Sequence, residues 1–257
     1  MEQVVHGLRS RISPNPVLSW LFPQACSLCG EAGAPLNPCR DCCRALDPLL
    51  LGSVCPRCAT PTTAEHEGFP APIGDTAEHC PACLVNPPPF DRVVAPWSFG
   101  PPLASLVHRM KYSRDLAAAA ALGRLLAREL AVRTRRTVPE VVIGLPLSRR
   151  RLLQRGFNHA EELATMVRRN LGLRRPGSVR IVRHHSPPQA RARNAAERFA
   201  NVEKAFTVRR WPAGTKRVAI VDDVLTTGAT ASALSLALRE RDVEWIEVWC
   251  CARATLD

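Results

Sequence analysis

The chain has 257 residues, of which 46% are hydrophobic and 23% charged. That is enough apolar content for a real core and too ordinary a composition for wholesale disorder. Its longest apolar stretch, Ala117 to Leu126, is interrupted by Arg124, and Val17 to Phe22 ends at Pro23 without a small-residue cleavage site. Neither a membrane-spanning helix nor a secretory signal is expected, so the protein reads as soluble and cytoplasmic, with no membrane insertion.

The net charge of +12 is uneven: residues 1–88 carry −3 and residues 89–257 carry +15. Only Lys111, Lys204 and Lys216 are lysines; the other basic residues are arginines, whose planar fork suits phosphate. The basic part fits a polyanionic partner or a phosphorylated substrate.

Three domains are expected: a peripheral segment 1–24, a cysteine-rich module 25–88 and an α/β domain 89–257. The module holds four CxxC pairs, Cys26/Cys29, Cys39/Cys42, Cys55/Cys58 and Cys80/Cys83. Each pair offers two thiolates from one turn, and eight thiolates make two Cys₄ zinc sites. Sequential pairing is the simplest arrangement; a crossed pairing, a single occupied site and iron–sulfur ligation stay open. Cys43 is spare, or replaces Cys42. Four thiolates leave no open position for a reacting water, so the zinc reads as structural. Asn86-Pro87-Pro88-Pro89 is a stiff boundary.

Beyond it, strands are expected at 91–99, 140–145, 178–183, 217–221 and 245–250. Helices are expected at 102–111, 115–134, 158–170 and 229–241, with Asn158 as an N-cap. Residues 184–195 read as a mobile loop that contains His184 and His185. Short apolar strands alternating with helices predict a parallel sheet flanked by helices. Ligands of such sheets sit at the strands' carboxyl ends. Cys250 and Cys251, in the last strand, read as packing residues.

Residues 218–230, Val-Ala-Ile-Val-Asp-Asp-Val-Leu-Thr-Thr-Gly-Ala-Thr, carry the most chemistry. Asp222 and Asp223 follow a buried strand. Leu225, Thr226, Thr227, Gly228, Ala229 and Thr230 then open a helix, where amides and hydroxyls can cradle a phosphate. Carboxylates beside a phosphate make sense if they face sugar hydroxyls or a divalent cation.

This segment resembles the phosphoribosyl pyrophosphate (PRPP) signature of type I phosphoribosyltransferases. In that family the acid pair binds the ribose hydroxyls directly or through Mg²⁺, and the threonine-glycine loop wraps the 5′-phosphate. More widely, residues 25–257 resemble the ComF family (ComFC/GntX-like competence proteins), which has a cysteine-rich module before a phosphoribosyltransferase-like domain. The resemblance lies in the CxxC pairs, Pro88-Pro-Phe-Asp-Arg-Val93, Leu106 to Asp115, Leu145-Pro-Leu147, Arg155-Gly-Phe-Asn158, the acid-pair signature and Val248 to Arg253. It implies a pyrophosphate loop at Leu147, Ser148 and Arg149, with Lys111 reaching a phosphate. It places Gln189, Arg198 and Asn201 in a mobile loop. Where the family commonly has Gln after Gly-Phe-Asn, this chain has His159.

Two functions follow. One is a phosphoribosyltransferase that uses PRPP and Mg²⁺ on an acceptor the sequence does not name. The other is a non-catalytic PRPP-sensing or single-stranded-DNA-handling module, with Trp97, Tyr112, Phe157 and Trp211 as stacking candidates. The resemblance implies a role in natural transformation or DNA uptake, with competence-machinery proteins as further candidate partners.

Overall fold

The computed structural model describes residues 25–32, 37–49, 54–62, 79–133, 138–184 and 205–254. Gln189, Arg198, Asn201 and His185 lie outside them. Two short helices come first: α1 (Arg40–Arg44) and α2 (Pro81–Val85). Then follow β1 (Arg92–Val94), β2 (Trp97–Ser98), α3 (Leu103–Tyr112), α4 (Leu116–Arg133), β3 (Val141–Gly144), α5 (Arg149–Arg155) and α6 (His159–Leu171). The chain continues through β4 (Arg180–Arg183), β5 (Phe206–Arg210), β6 (Arg217–Leu225), α7 (Ala229–Arg239) and β7 (Trp245–Arg253).

The main sheet runs β1-β7-β6-β3, all parallel, and β2 pairs further along β7. The single strand expected over 91–99 is divided in two. Pro96, which has no N–H to give a ladder, lies at the break, and its carbonyl accepts from Leu49 N instead at 2.8 Å. β6 and β7 each run longer than expected, because eight registered pairs extend their ladder to Leu225↔Arg253. β4 and β5 form a separate antiparallel pair.

The central strands are apolar on both faces, as parallel strands under helices must be. Val218, Ile220, Val248 and Cys250 pack in one core with α7 and β5. Ala219, Val221, Trp249 and Cys251 pack in the other with α3, α4 and α6. Cys250 and Cys251 are fully buried packing residues, as expected. The cysteine-rich segment is pinned to this body through Leu49 and Ala59 in the first core and Leu46 in the second.

α6 begins as expected: Asn158 caps it, its Oδ1 accepting from Ala160 N at 3.1 Å. A Cβ on Gly144 would lie 2.3 Å from Glu161 N, so only glycine lets α6 sit this close to the end of β3.

A cavity at the carboxyl end of the sheet

β3 and β6 end side by side, and their ends open into a cavity of about 330 Å³. Lys111, Leu145, Leu147, Arg151, Arg155, His159, Arg183, Asp222, Asp223, Thr226 and Thr230 line it, with Phe99, Val224 and Ala254. The sheet therefore presents its site where parallel α/β architecture presents ligand sites.

Asp222 and Asp223 are neighbours near the end of β6, and a carboxylate oxygen of each lies within 4.8 Å of the other and of a His159 ring nitrogen. Asp223 is 2% exposed. Its Oδ1 accepts from Val224 N at 2.7 Å. Its Oδ2 lies 2.9 Å from Lys111 Nζ and 3.3 Å from His159 Nε2, neither in hydrogen-bond alignment. Asp222 is only partly covered, and its Oδ1 accepts from Asp223 N at 2.9 Å. Burial, then the charge of Asp223, pushes the Asp222 carboxyl up to about 7, against the pull of Lys111 and Arg183. This is a carboxyl short of positive charge.

His159 is the buried link between the acid pair and the arginines. Its Nδ1 lies 3.1 Å from Arg155 Nη1. A guanidinium only donates, so Nδ1 accepts and Nε2 carries the proton toward Asp223. Burial lowers His159 to about 4; Asp223 opposes this, and Arg155, Lys111 and Arg151 reinforce it. The imidazole is neutral at neutral pH. His159 sits in the position where the resemblance led one to expect Gln, and Gln can likewise donate and accept at once.

Residues 149–155 form a short helix. Ser148 caps it, its Oγ accepting from Arg151 N at 3.5 Å, and Gly156 ends it at φ 77°. Four-residue spacing puts Arg151 and Arg155 on one face, toward the cavity. Of the expected pyrophosphate residues, Leu147 and Lys111 line the cavity and Ser148 and Arg149 do not. Lys111 is engaged with Asp223 rather than standing free.

The loop after β6, where a phosphate cradle is expected, turns directly into α7. Gly228 caps α7 at φ 75°, a conformation costly for any side chain. Thr227 Oγ1 accepts from Ala229 N at 3.3 Å. Thr226 and Thr230 line the cavity, while Leu225 is buried beneath it. Arg183, from β4, reaches across to Thr230 Oγ1 at 3.5 Å and Pro146 O at 3.3 Å. Burial and Arg151 lower its pKa and Asp222 raises it, which marks a cation brought in against repulsion. Sequence reasoning missed Arg183, because it comes from β4, far along the chain from the arginines of α5. The one signal for Arg155 was its place directly before Gly-Phe-Asn. Of the stacking candidates, Trp97 is buried, Phe157 and Trp211 are half-buried, and Tyr112 is 63% exposed with Arg155 Cζ 5.4 Å from its ring centre.

The cysteines resolve into two sets, Cys26/Cys29/Cys39/Cys42 and Cys55/Cys58/Cys80/Cys83, with the sulfurs of each set within 4.8 Å of one another. Pairing is therefore sequential, not crossed. Cys29 and Cys39 Sγ are 3.8 Å apart, and Cys58 and Cys80 Sγ 3.6 Å. A tetrahedron with Zn–S of about 2.3 Å needs S···S of about 3.8 Å, so both donor sets fit zinc. Amides of Leu28 and Cys39 already point at Cys26 Sγ, at 3.4 and 3.3 Å, and backbone hydrogen bonds of this kind lower its pKa to about 6 despite the opposing effect of burial. Cys43 stands outside both sets, its Sγ 3.6 Å from Pro38 O. No helix among the described residues is long and apolar enough to cross a membrane.

The cysteine-rich part has a counterpart among known protein families. Residues 17–84 match the double zinc ribbon domain. The DNA utilization protein YhgH of Salmonella typhimurium is 33% identical over 243 residues, covering 93% of this chain and 97% of that protein. Competence protein F of Haemophilus influenzae is 37% identical over 187 residues, covering 69% and 80%. Among solved structures, the allosteric regulatory enzyme of purine biosynthesis is similar at 20% identity and TM-score 0.35, over 51% of this chain and 25% of that one. A double zinc ribbon match over residues 17–84, together with relatives at 33–37% identity of which YhgH is matched over 97% of its length, places this chain in the ComF family of competence and DNA-utilization proteins.

Proposed function

We propose that the chain binds PRPP with Mg²⁺ in the cavity at the end of β6, as a phosphoribosyltransferase-like protein acting in the use of internalised DNA. The DNA role rests on relatives named as DNA utilization and competence proteins. The ligand rests on one observation: Asp222, the N-terminus of α7 and Arg151, Arg155 and Arg183 converge on a single cavity. The loop 226–230 would hold the 5′-phosphate, and Arg151 and Arg155 the pyrophosphate, through charge-assisted hydrogen bonds. Asp222 would face the ribose hydroxyls or the cation, and its raised pKa is that of a carboxyl awaiting a positive partner. His159, a nitrogen donor engaged with Arg155, is a poor Mg²⁺ ligand. Bound Mg²⁺ supplies charge neutralisation at the pyrophosphate. In transfer, an acceptor nucleophile bonds to the ribose anomeric carbon as the bond to pyrophosphate breaks and its electron pair leaves with that group. The chain contributes by positioning and by electrostatic stabilisation.

Zinc in both Cys₄ sets has a structural part in this reading, because neither leaves an open position. Calorimetric titration of PRPP, with and without Mg²⁺, tests the ligand on the wild type and on Asp222→Asn. Mg²⁺-dependent binding lost in the variant is expected; no binding by the wild type would refute the ligand. One observation favours a second reading, a single-stranded-DNA-handling module: the exposed Tyr112 beneath Arg155 beside a basic cavity. In that case DNA affinity falls steeply with salt and drops in Tyr112→Ala.

A further inference from the structure

Arg253, the last residue of β7, bridges the second cysteine set and the phosphate loop. On one side its Nε donates to Cys58 O at 3.1 Å and its Nη2 to Thr60 Oγ1 at 2.9 Å. On the other, Nη1 meets Leu225 O at 3.0 Å, Ala254 O at 2.8 Å and Thr226 O. Leu225 ends β6 and Thr226 begins the loop. Thr60 Oγ1 also lies 3.1 Å from Cys58 Sγ, so its hydroxyl sits between a metal ligand and the guanidinium. The Cys58–Thr60 turn takes its shape from the cysteine set: Ala59 N donates to Cys55 O and Cys55 N to Thr60 O, both at 2.8 Å, with Ala59 at φ 55°. The first set is tied elsewhere. There Arg109 donates to Ser27 O and grips Asp115, at the start of α4.

We propose that Arg253 is a positioning residue through which the second metal site sets the order of the phosphate loop, while the first metal site does not. Metal at Cys55, Cys58, Cys80 and Cys83 fixes the 58–60 turn, the turn fixes the guanidinium, and the guanidinium holds the carbonyls where β6 gives way to the loop. A planar fork with donors on two edges can hold both sides at once, which an ammonium cannot. The inference deepens the PRPP reading, on which its ligand rests, but its primary test does not use PRPP.

Hydrogen exchange on the full zinc-loaded chain provides that test. Cys58→Ser is expected to raise exchange over residues 224–232 about fivefold or more, while Cys29→Ser raises it over 25–46 and leaves the loop unchanged. Arg253→Lys should raise loop exchange with both zinc ions in place, and adding Cys58→Ser to it should change the loop little further. Loop exchange unaltered in Arg253→Lys, or raised equally by Cys29→Ser, overturns the proposal. If Cys58→Ser does not fold, Thr60→Val decides: it removes one contact of the bridge and no metal ligand, and an unchanged loop in that variant also overturns it. Parallel PRPP titrations separate the two ideas. Metal–loop coupling without PRPP binding by the wild type sinks only the ligand, whereas an unchanged PRPP Kd in Arg253→Lys sinks the positioning role.

Discussion

Lys111 Nζ lies 2.9 Å from Asp223 Oδ2 at the floor of the cavity, joining the end of α3 to β6. The pair separates two adjacent acids: Asp223 is matched by Lys111 inside the protein, and Asp222 lines the cavity.

Removing the lysine strands a buried carboxylate. Lys111→Met should cost about 2–4 kcal/mol, read from the urea midpoint at pH 7.5. Adding Asp223→Leu should recover part of that loss, since the two sites are in direct contact. Strict additivity of the two substitutions would contradict the pairing.

Asp222 should tax the fold as pH rises. Its carboxyl holds a proton to about pH 7 in the folded chain, against an ordinary 3.8. The folded state thus binds more protons across that window, and raising pH through it erodes stability. Asp222→Asn should be more stable than the wild type by about 1–3 kcal/mol at pH 8, with the gap closing toward pH 4. Denaturation at four pH values measures it; a constant gap excludes the assignment.

His159 should act in the opposite direction. It releases its proton near pH 4 when folded and near 6.5 when unfolded. The unfolded state binds more protons in between, so lowering pH through that window erodes stability. His159→Gln should stay within about 1 kcal/mol of the wild type at pH 7.5 and surpass it as pH falls toward 4. Indistinguishable pH profiles for the two proteins would argue that His159 is not the buried neutral link.

Metal analysis should find two zinc ions per chain. Cys29→Ser and Cys58→Ser should each lose one, and Cys43→Ala none, because Cys43 stands outside both sets. Loss of both ions from either serine variant would indicate a shared rather than a sequential arrangement.

Gly144→Ala should be among the costly small substitutions. Its Cβ would meet the backbone of Glu161 at 2.3–2.4 Å, and a helix backbone cannot step aside cheaply. About 3 kcal/mol or more is expected, with α6 displaced and the Glu161 Oε2 contact to Gly144 N, 2.9 Å, weakened. Thermal unfolding with the wild type alongside gives the comparison.

Much of this protein is written in contiguous residues. The run Val218 to Thr230 is at once a buried strand, an acid pair, a glycine-capped turn and a helix start, so this strand–turn–helix was legible in the sequence. The four CxxC spacings likewise announce metal, because each pair shares one turn. Asn158 announces its own helix by the hydrogen bond its side chain can make. The helix Arg149–Arg155 was not foreseen, because four arginines and two leucines on a short helix give little apolar periodicity; Ser148 and Gly156 at its two ends were the available signals. Tertiary structure alone decided which cysteine pairs share a centre, which acid is matched by Lys111, and which of many arginines face the cavity. Arg151 and Arg155 come from α5 and Arg183 from β4, and only the folded sheet brings them to one cavity with Asp222; Arg253, on β7, meets Cys58 across 195 positions. The physical reason is range: caps, turns and strand runs depend on neighbours within a few residues, whereas charge pairing and ligand selection depend on distances that only packing sets.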